Sequence, residues 1–146
     1  MGCRAKENMK NKNVCVLFGV LIVCFLFGAA YAAAQDVPRI SIQELKKMMD
    51  DGKPVTIVDV QPKDVYREGH IKGAVSLPWK AQISVDEVFS LPKDNPIVVY
   101  CDCGPGESDS ADVGSQLLQL GVENVKVLAD PSIKGWKDAG YPIEKK

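Results

Sequence analysis

Residues 98–114 read VVYCDCGPGESDSADVG, and this stretch decides the fold. It closes an apolar run, PIVVYC, of the kind found in strands covered on both faces. Gly104, Pro105 and Gly106 then break the run in the manner of a tight turn. From about Ser108, Val113, Leu117 and Leu120 recur at helical spacing. Gly121 stands where a helix ends in a left-handed residue. Cys101 lies at the strand's end and Cys103 two residues beyond it. Strand, turn and helix in this order form one unit of an α/β sheet.

The flanking sequence repeats the unit. SIQELKKMMDDG starts with a capping box, Ser41 and Glu44, and places Ile42, Leu45, Met48 and Met49 on one helical face. Gly52 and Pro54 end that helix. VTIVDV (55–60) reads as a buried strand, PKDVYREG as a short helix opened by Pro62, and AVSLP (74–78) as a second strand. Ser84 and Glu87 make another capping box. NVKVL (124–128) is a fourth strand. PSIKGWKDAGYPIE is a last helix and tail, with Ile133 and Trp136 facing inward. Strands alternating with helices predict a parallel sheet with helices on both faces. Such sheets bind ligands beyond the carboxyl ends of their strands, where Cys101 stands. No repeat or second-domain linker interrupts the pattern, so residues 35–146 are expected to form a single domain.

Residues 1–34 differ in character. Arg4, Lys6, Lys10 and Lys12 form a basic head, the run from Val14 to Ala30 carries no charge, and small residues follow up to Ala34. That order predicts a secretory signal cut after Ala34, with export to the periplasm if the organism is bacterial. The alternative is an uncleaved anchor, since the 21 uncharged residues from Val14 to Ala34 are long enough to span a bilayer. If it is uncleaved, contact with a membrane is expected through this segment alone.

Without the leader, basic residues fall from 18 to 14 and acidic ones from 19 to 18, a net charge of −4. Neither this nor the −1 of the whole chain points to nucleic acid. Of five cysteines, Cys3, Cys15 and Cys24 go with the leader, leaving Cys101 and Cys103. That excludes a disulfide scaffold.

A thiol between a strand and a helix N-terminus can be activated. Backbone N–H groups converge there, and the helix dipole favours the thiolate, which is the nucleophilic form. Glycines at 104 and 106 let the backbone curl around it. The chemistry implied is attack on sulfur, with a covalent cysteine intermediate. Cys103 is a candidate resolving thiol or disulfide partner. A C-x-C pair falls short of the four ligands of a zinc site. Two thiolates also suit Cu(I), which stays open as a minor alternative. No resident metal or cofactor is expected.

Asp59-Val60, Tyr66 and EGHIKGAVSLP (68–78), followed by IVVYC with its glycine loop, GVENVKVL and GWKDAGYPIE, resemble the rhodanese-like domains. The likeness runs from about Ile40 to Glu144. The C-x-C spacing and Ser110-Ala111 are similar to a branch whose loop carries a second cysteine. The resemblance implies a five-stranded parallel sheet flanked by helices. It implies transfer of sulfane sulfur from a thiosulfate-type donor, through a persulfide on Cys101, to cyanide or a thiol acceptor, which includes an acceptor protein. Asp102, Cys103, Gly104, Pro105, Gly106 and Glu107 would form the substrate cradle. Asp59 and His70 read as structural, the first as an acceptor for nearby loops and the second as a fastener between helix and strand.

The chain departs from the pattern in three places. Gly106 occupies the loop position of an arginine, Gln61 follows Asp59-Val60 where arginine is usual, and ADPSIKG replaces a Gly-Gly. The loop and helix start carry Asp102, Glu107, Asp109 and Asp112, which would repel an anionic donor and raise a thiol pKa. A catalytically weak module that binds a partner or accepts sulfur, and a thiol–disulfide role for the pair, therefore stay open beside the enzyme reading.

Overall fold

The computed structural model describes residues 36–146. The expected leader, with Cys3, Cys15 and Cys24, lies outside the described residues. In chain order the elements begin β1 (Arg39–Ile40), α1 (Ile42–Asp50), β2 (Thr56–Asp59), α2 (Lys63–Glu68), β3 (His70–Ile71) and β4 (Val75–Ser76). They continue α3 (Val85–Phe89), β5 (Ile97–Tyr100), α4 (Ser108–Gln119), β6 (Val125–Leu128), α5 (Ser132–Asp138) and β7 (Ile143–Glu144). Among the described residues no helix is long and apolar enough to cross a membrane.

Five strands form one sheet in the order β1-β6-β5-β2-β4, every pair parallel. β5 is therefore central. Its four residues are all buried, as its unbroken apolar run requires. Alternation splits the core. Ile97, Val99 and Cys101 face one side with Val88 of α3 and Val113 and Leu117 of α4. Val98 and Tyr100 face the other with Leu45 of α1, Tyr66 of α2 and Ile133 and Trp136 of α5.

Local signals position the helices. In α1 the Glu44 N–H donates to Ser41 Oγ at 3.1 Å while the Ser41 N–H donates back to the Glu44 carboxylate at 3.0 Å. Ser84 and Glu87 repeat this at α3, at 3.3 and 3.1 Å. α4 ends in a Schellman motif. Gly121, at φ +82°, donates its N–H to Leu118 O, and the Val122 N–H donates to Leu117 O.

Three features differ from the sequence expectation. β1 has two residues, too few to show a period, and forms by pairing with Val127 and Leu128. The strand expected over 74–78 has a two-residue ladder, although the Leu77 and Trp79 N–H groups still donate to the Asp59 and Val60 carbonyls. The expected tail closes into β7, which pairs antiparallel with β3 as a separate two-stranded sheet.

Candidate functional site

Cys101 directly follows β5, flanked by β2 and β6, at the carboxyl edge of the sheet. It is 3% exposed. The turn that follows bends through left-handed residues: Gly104 at φ +75°, Gly106 at +94° and Glu107 at +46°. A Cβ at either glycine would meet no atom within 4 Å, so the requirement is conformational rather than spatial. Cys103 stands between the strand end and this turn. The two sulfurs are in disulfide contact, with Cα atoms 5.5 Å apart. From the first turn of α4, buried Ser110 places its Oγ 3.4 Å from Cys101 Sγ and donates to Glu107 O at 3.1 Å. In the sequence Ser110 is visible as part of a Ser-Ala motif, and the signal for this contact is its place in the first turn of the helix that the cysteine loop opens.

A cleft of about 370 Å³ opens over the pair, lined by Gln61, Pro62, Val65, Cys101, Asp102, Cys103 and Asp109. Gly104, Pro105, Gly106 and Glu107 form the turn behind this lining. The loop acids divide. Glu107 is buried and turned away: its Oε1 accepts the Asp130 N–H at 2.6 Å and its Oε2 lies 3.5 Å from Arg39 Nε. Arg39 also pairs with Asp36. Asp112 accepts from Trp79 Nε1 at 2.7 Å and from Gln116 Nε2 at 3.0 Å. Asp102 and Asp109 are the acids that face the cleft, and none of the residues lining it is cationic.

Gln61 shows what stands in place of the usual arginine. Its Nε2 donates to both Asp59 carboxylate oxygens at 3.1 Å, and its backbone N–H donates at 2.8 Å. Tyr100 OH donates to Asp59 Oδ2 at 2.5 Å and accepts the Ile71 N–H at 3.0 Å. Burial pushes the Asp59 carboxyl above its ordinary range, against the pull of these donors. Burial and then the Asp59 carboxylate push the Tyr100 phenol far up. Asp59 thereby braces the two strand ends that deliver Gln61 and Cys101.

His70 does not line the cleft. It is fully buried, stacked on Tyr66 at 3.7 Å between ring centres, and its Nδ1 donates to Tyr66 O at 2.7 Å. Its Nε2 lies 3.2 Å from the Glu144 carboxylate, so it joins α2 to β7. Among the described residues no three His, Cys, Asp or Glu side chains gather into a candidate metal site.

The comparisons agree with this fold. At 32% identity over 150 residues, the chain is similar to an HTH-type transcriptional regulator, Rv0324, of Mycobacterium tuberculosis. The match takes in 98% of this chain and 64% of the regulator, so the chain spans less than two thirds of that relative's length. It is 28% identical over 82 residues to the thiosulfate sulfurtransferase PspE of Escherichia coli, covering 53% of this chain and 78% of PspE. The solution structure of the rhodanese-like domain of Alr3790 from Anabaena superposes with a TM-score of 0.62 at 32% identity, over 75% of this chain and 80% of that one. Residues 41–139, which hold the sheet apart from β1 together with the cysteine loop and its cleft, match the model of the rhodanese-like domain, and the chain belongs to that family.

Proposed function

We propose that this chain is an exported sulfurtransferase in which Cys101 carries sulfane sulfur. The observation that carries the reading is the position of Cys101, at the end of the central strand and in the wall of a cleft large enough for a small sulfur donor. With the Cys101–Cys103 pair reduced, the Cys101 thiolate attacks the outer sulfur of thiosulfate. The bond from that sulfur to the sulfonate breaks and sulfite leaves. Cyanide or an acceptor thiol then takes the outer sulfur from the persulfide and returns the thiolate. The start of α4, from which Ser110 reaches Cys101, favours the anionic sulfur. Similarity to a thiosulfate sulfurtransferase supports the donor class. The basic, apolar and small-residue order of residues 1–34 supports export.

A second reading rests on the charge of the cleft. Asp102 and Asp109 line it without a cation, which favours a slow module that binds a partner or receives sulfur from one. The reduced chain, incubated with thiosulfate and cyanide, separates the two. Thiocyanate formation that is lost in Cys101→Ser supports the transferase. Absence of both thiocyanate and added sulfur leaves the binding module. Turnover retained in Cys101→Ser assigns the nucleophile to another thiol.

A further inference from the structure

We propose that Cys103 discharges the Cys101 persulfide as hydrogen sulfide by closing the Cys101–Cys103 disulfide, which makes the loop a sulfide-releasing device reset by a dithiol. The inference rests on Cys101 being the sulfur carrier. It adds the fate of the sulfur and the class of reaction that must follow.

A thiolate can attack a persulfide at either sulfur. Attack at the outer one moves the sulfane sulfur and expels the cysteine thiolate. Attack at the inner one expels sulfide and leaves a disulfide. The geometry here selects the inner sulfur. Cys103 Sγ stands in disulfide contact with Cys101 Sγ itself, and the 5.5 Å between Cα atoms is an ordinary disulfide separation. The left-handed turn at Gly104, Gly106 and Glu107 is already folded to hold them there. The carboxylate of Glu107, held by the Asp130 N–H and Arg39, fixes the far end of that turn.

The cleft favours the same outcome. A terminal perthiolate on Cys101 would face Asp102 and Asp109, and no cation lines the walls to retain it. Expulsion as sulfide relieves that repulsion.

The step balances. The Cys101 perthiolate and the Cys103 thiol give the disulfide and hydrosulfide. The inner-to-outer sulfur bond breaks and the bond between the two cysteine sulfurs forms. The Cys103 proton leaves on the hydrosulfide. The sulfane sulfur gains two electrons, and each cysteine sulfur gives up one. A further cycle requires a dithiol reductant, which takes the disulfide back to two thiols and is itself oxidised.

The test uses the full chain, reduced and freed of reductant, mixed with thiosulfate alone. Loading from thiosulfate yields sulfite, so any sulfide comes from the second step. Trypsin releases the peptide 94–126, which carries both cysteines. Wild type is expected to release sulfide in step with sulfite, stop after one turnover, and leave this peptide two hydrogens lighter with no added sulfur. Cys103→Ser, and Cys103→Ala as a check on the loop, are expected to release sulfite, keep one extra sulfur on Cys101 and release no sulfide. Wild type that keeps the extra sulfur and releases no sulfide overturns the inference while leaving Cys101 as carrier. Sulfide release that persists in both Cys103 variants overturns it as well. If neither wild type nor variants take sulfur from thiosulfate or from glutathione persulfide, the carrier reading falls and this step with it.

Discussion

Glu107 and Asp109 are two residues apart and do opposite things. Glu107 buries its carboxylate against Arg39 and the Asp130 N–H, whereas Asp109 lines the cleft beside Asp102. An anionic donor therefore meets two carboxylates in the cleft wall rather than the four that the sequence displays. Replacing either with the neutral isostere, Asp102→Asn or Asp109→Asn, is expected to raise kcat/KM for thiosulfate by roughly 3- to 10-fold, an advantage that shrinks as salt is added. Steady-state thiocyanate assays at two ionic strengths check this; equal rates at low salt would remove charge from the account of the cleft. Cys101 was legible in the sequence because an apolar strand delivers it and a glycine turn follows it. The split among the acids was not, because the partner that turns Glu107 away is Arg39, distant in sequence. A chain of charges reports its sign, and long-range contacts decide where each one points.

Elements built from local rules were readable, and those built from pairing were not. Both capping boxes and the Schellman end of α4 depend on residues three to five apart. β1, β3 and β7 are two-residue strands that exist through their partners. The box at α3 makes a pH prediction. A hydrogen bond from Lys80, first, and then the Ser84 N–H hold the Glu87 carboxyl down at about 2, from an ordinary 4.5. Between these values the unfolded chain binds the proton and the folded chain does not. The stability this group contributes is present above 4.5 and is lost as pH falls toward 2. Glu87→Gln is expected to flatten the acid limb of a stability-against-pH curve in that window, measured by urea unfolding at each pH. An unchanged slope would mean that the box does not persist in solution.

At the scale of the molecule, β7 bears on the fold and β1 on the cysteine turn, neither by lining the cleft. β7 covers His70 and sets Glu144 against its Nε2 and against the Gly73 N–H, at 2.9 Å. Removing residues 143–146 takes both the cover and the Nε2 partner from an imidazole that the intact fold buries fully. The expected result is a loss on the order of 5 °C in Tm, with faster amide exchange at Gly73, while the cysteine pair stays intact. Thermal unfolding and hydrogen exchange check it, and an unaltered Tm would show that the small sheet is ornamental. The pairing of β1 has a consequence in time. Among the described strands β1 is the first to leave the ribosome, yet its partner β6 comes near the end, because Arg39 sits opposite Val127. The same Arg39 holds Glu107 and through it the cysteine turn. Local pieces can form early, but this long-range closure has to wait for nearly the whole chain. The thiol pair is thus gripped late in the life of each new molecule, so a chain threaded outward from its N-terminus would travel with its reactive loop still open.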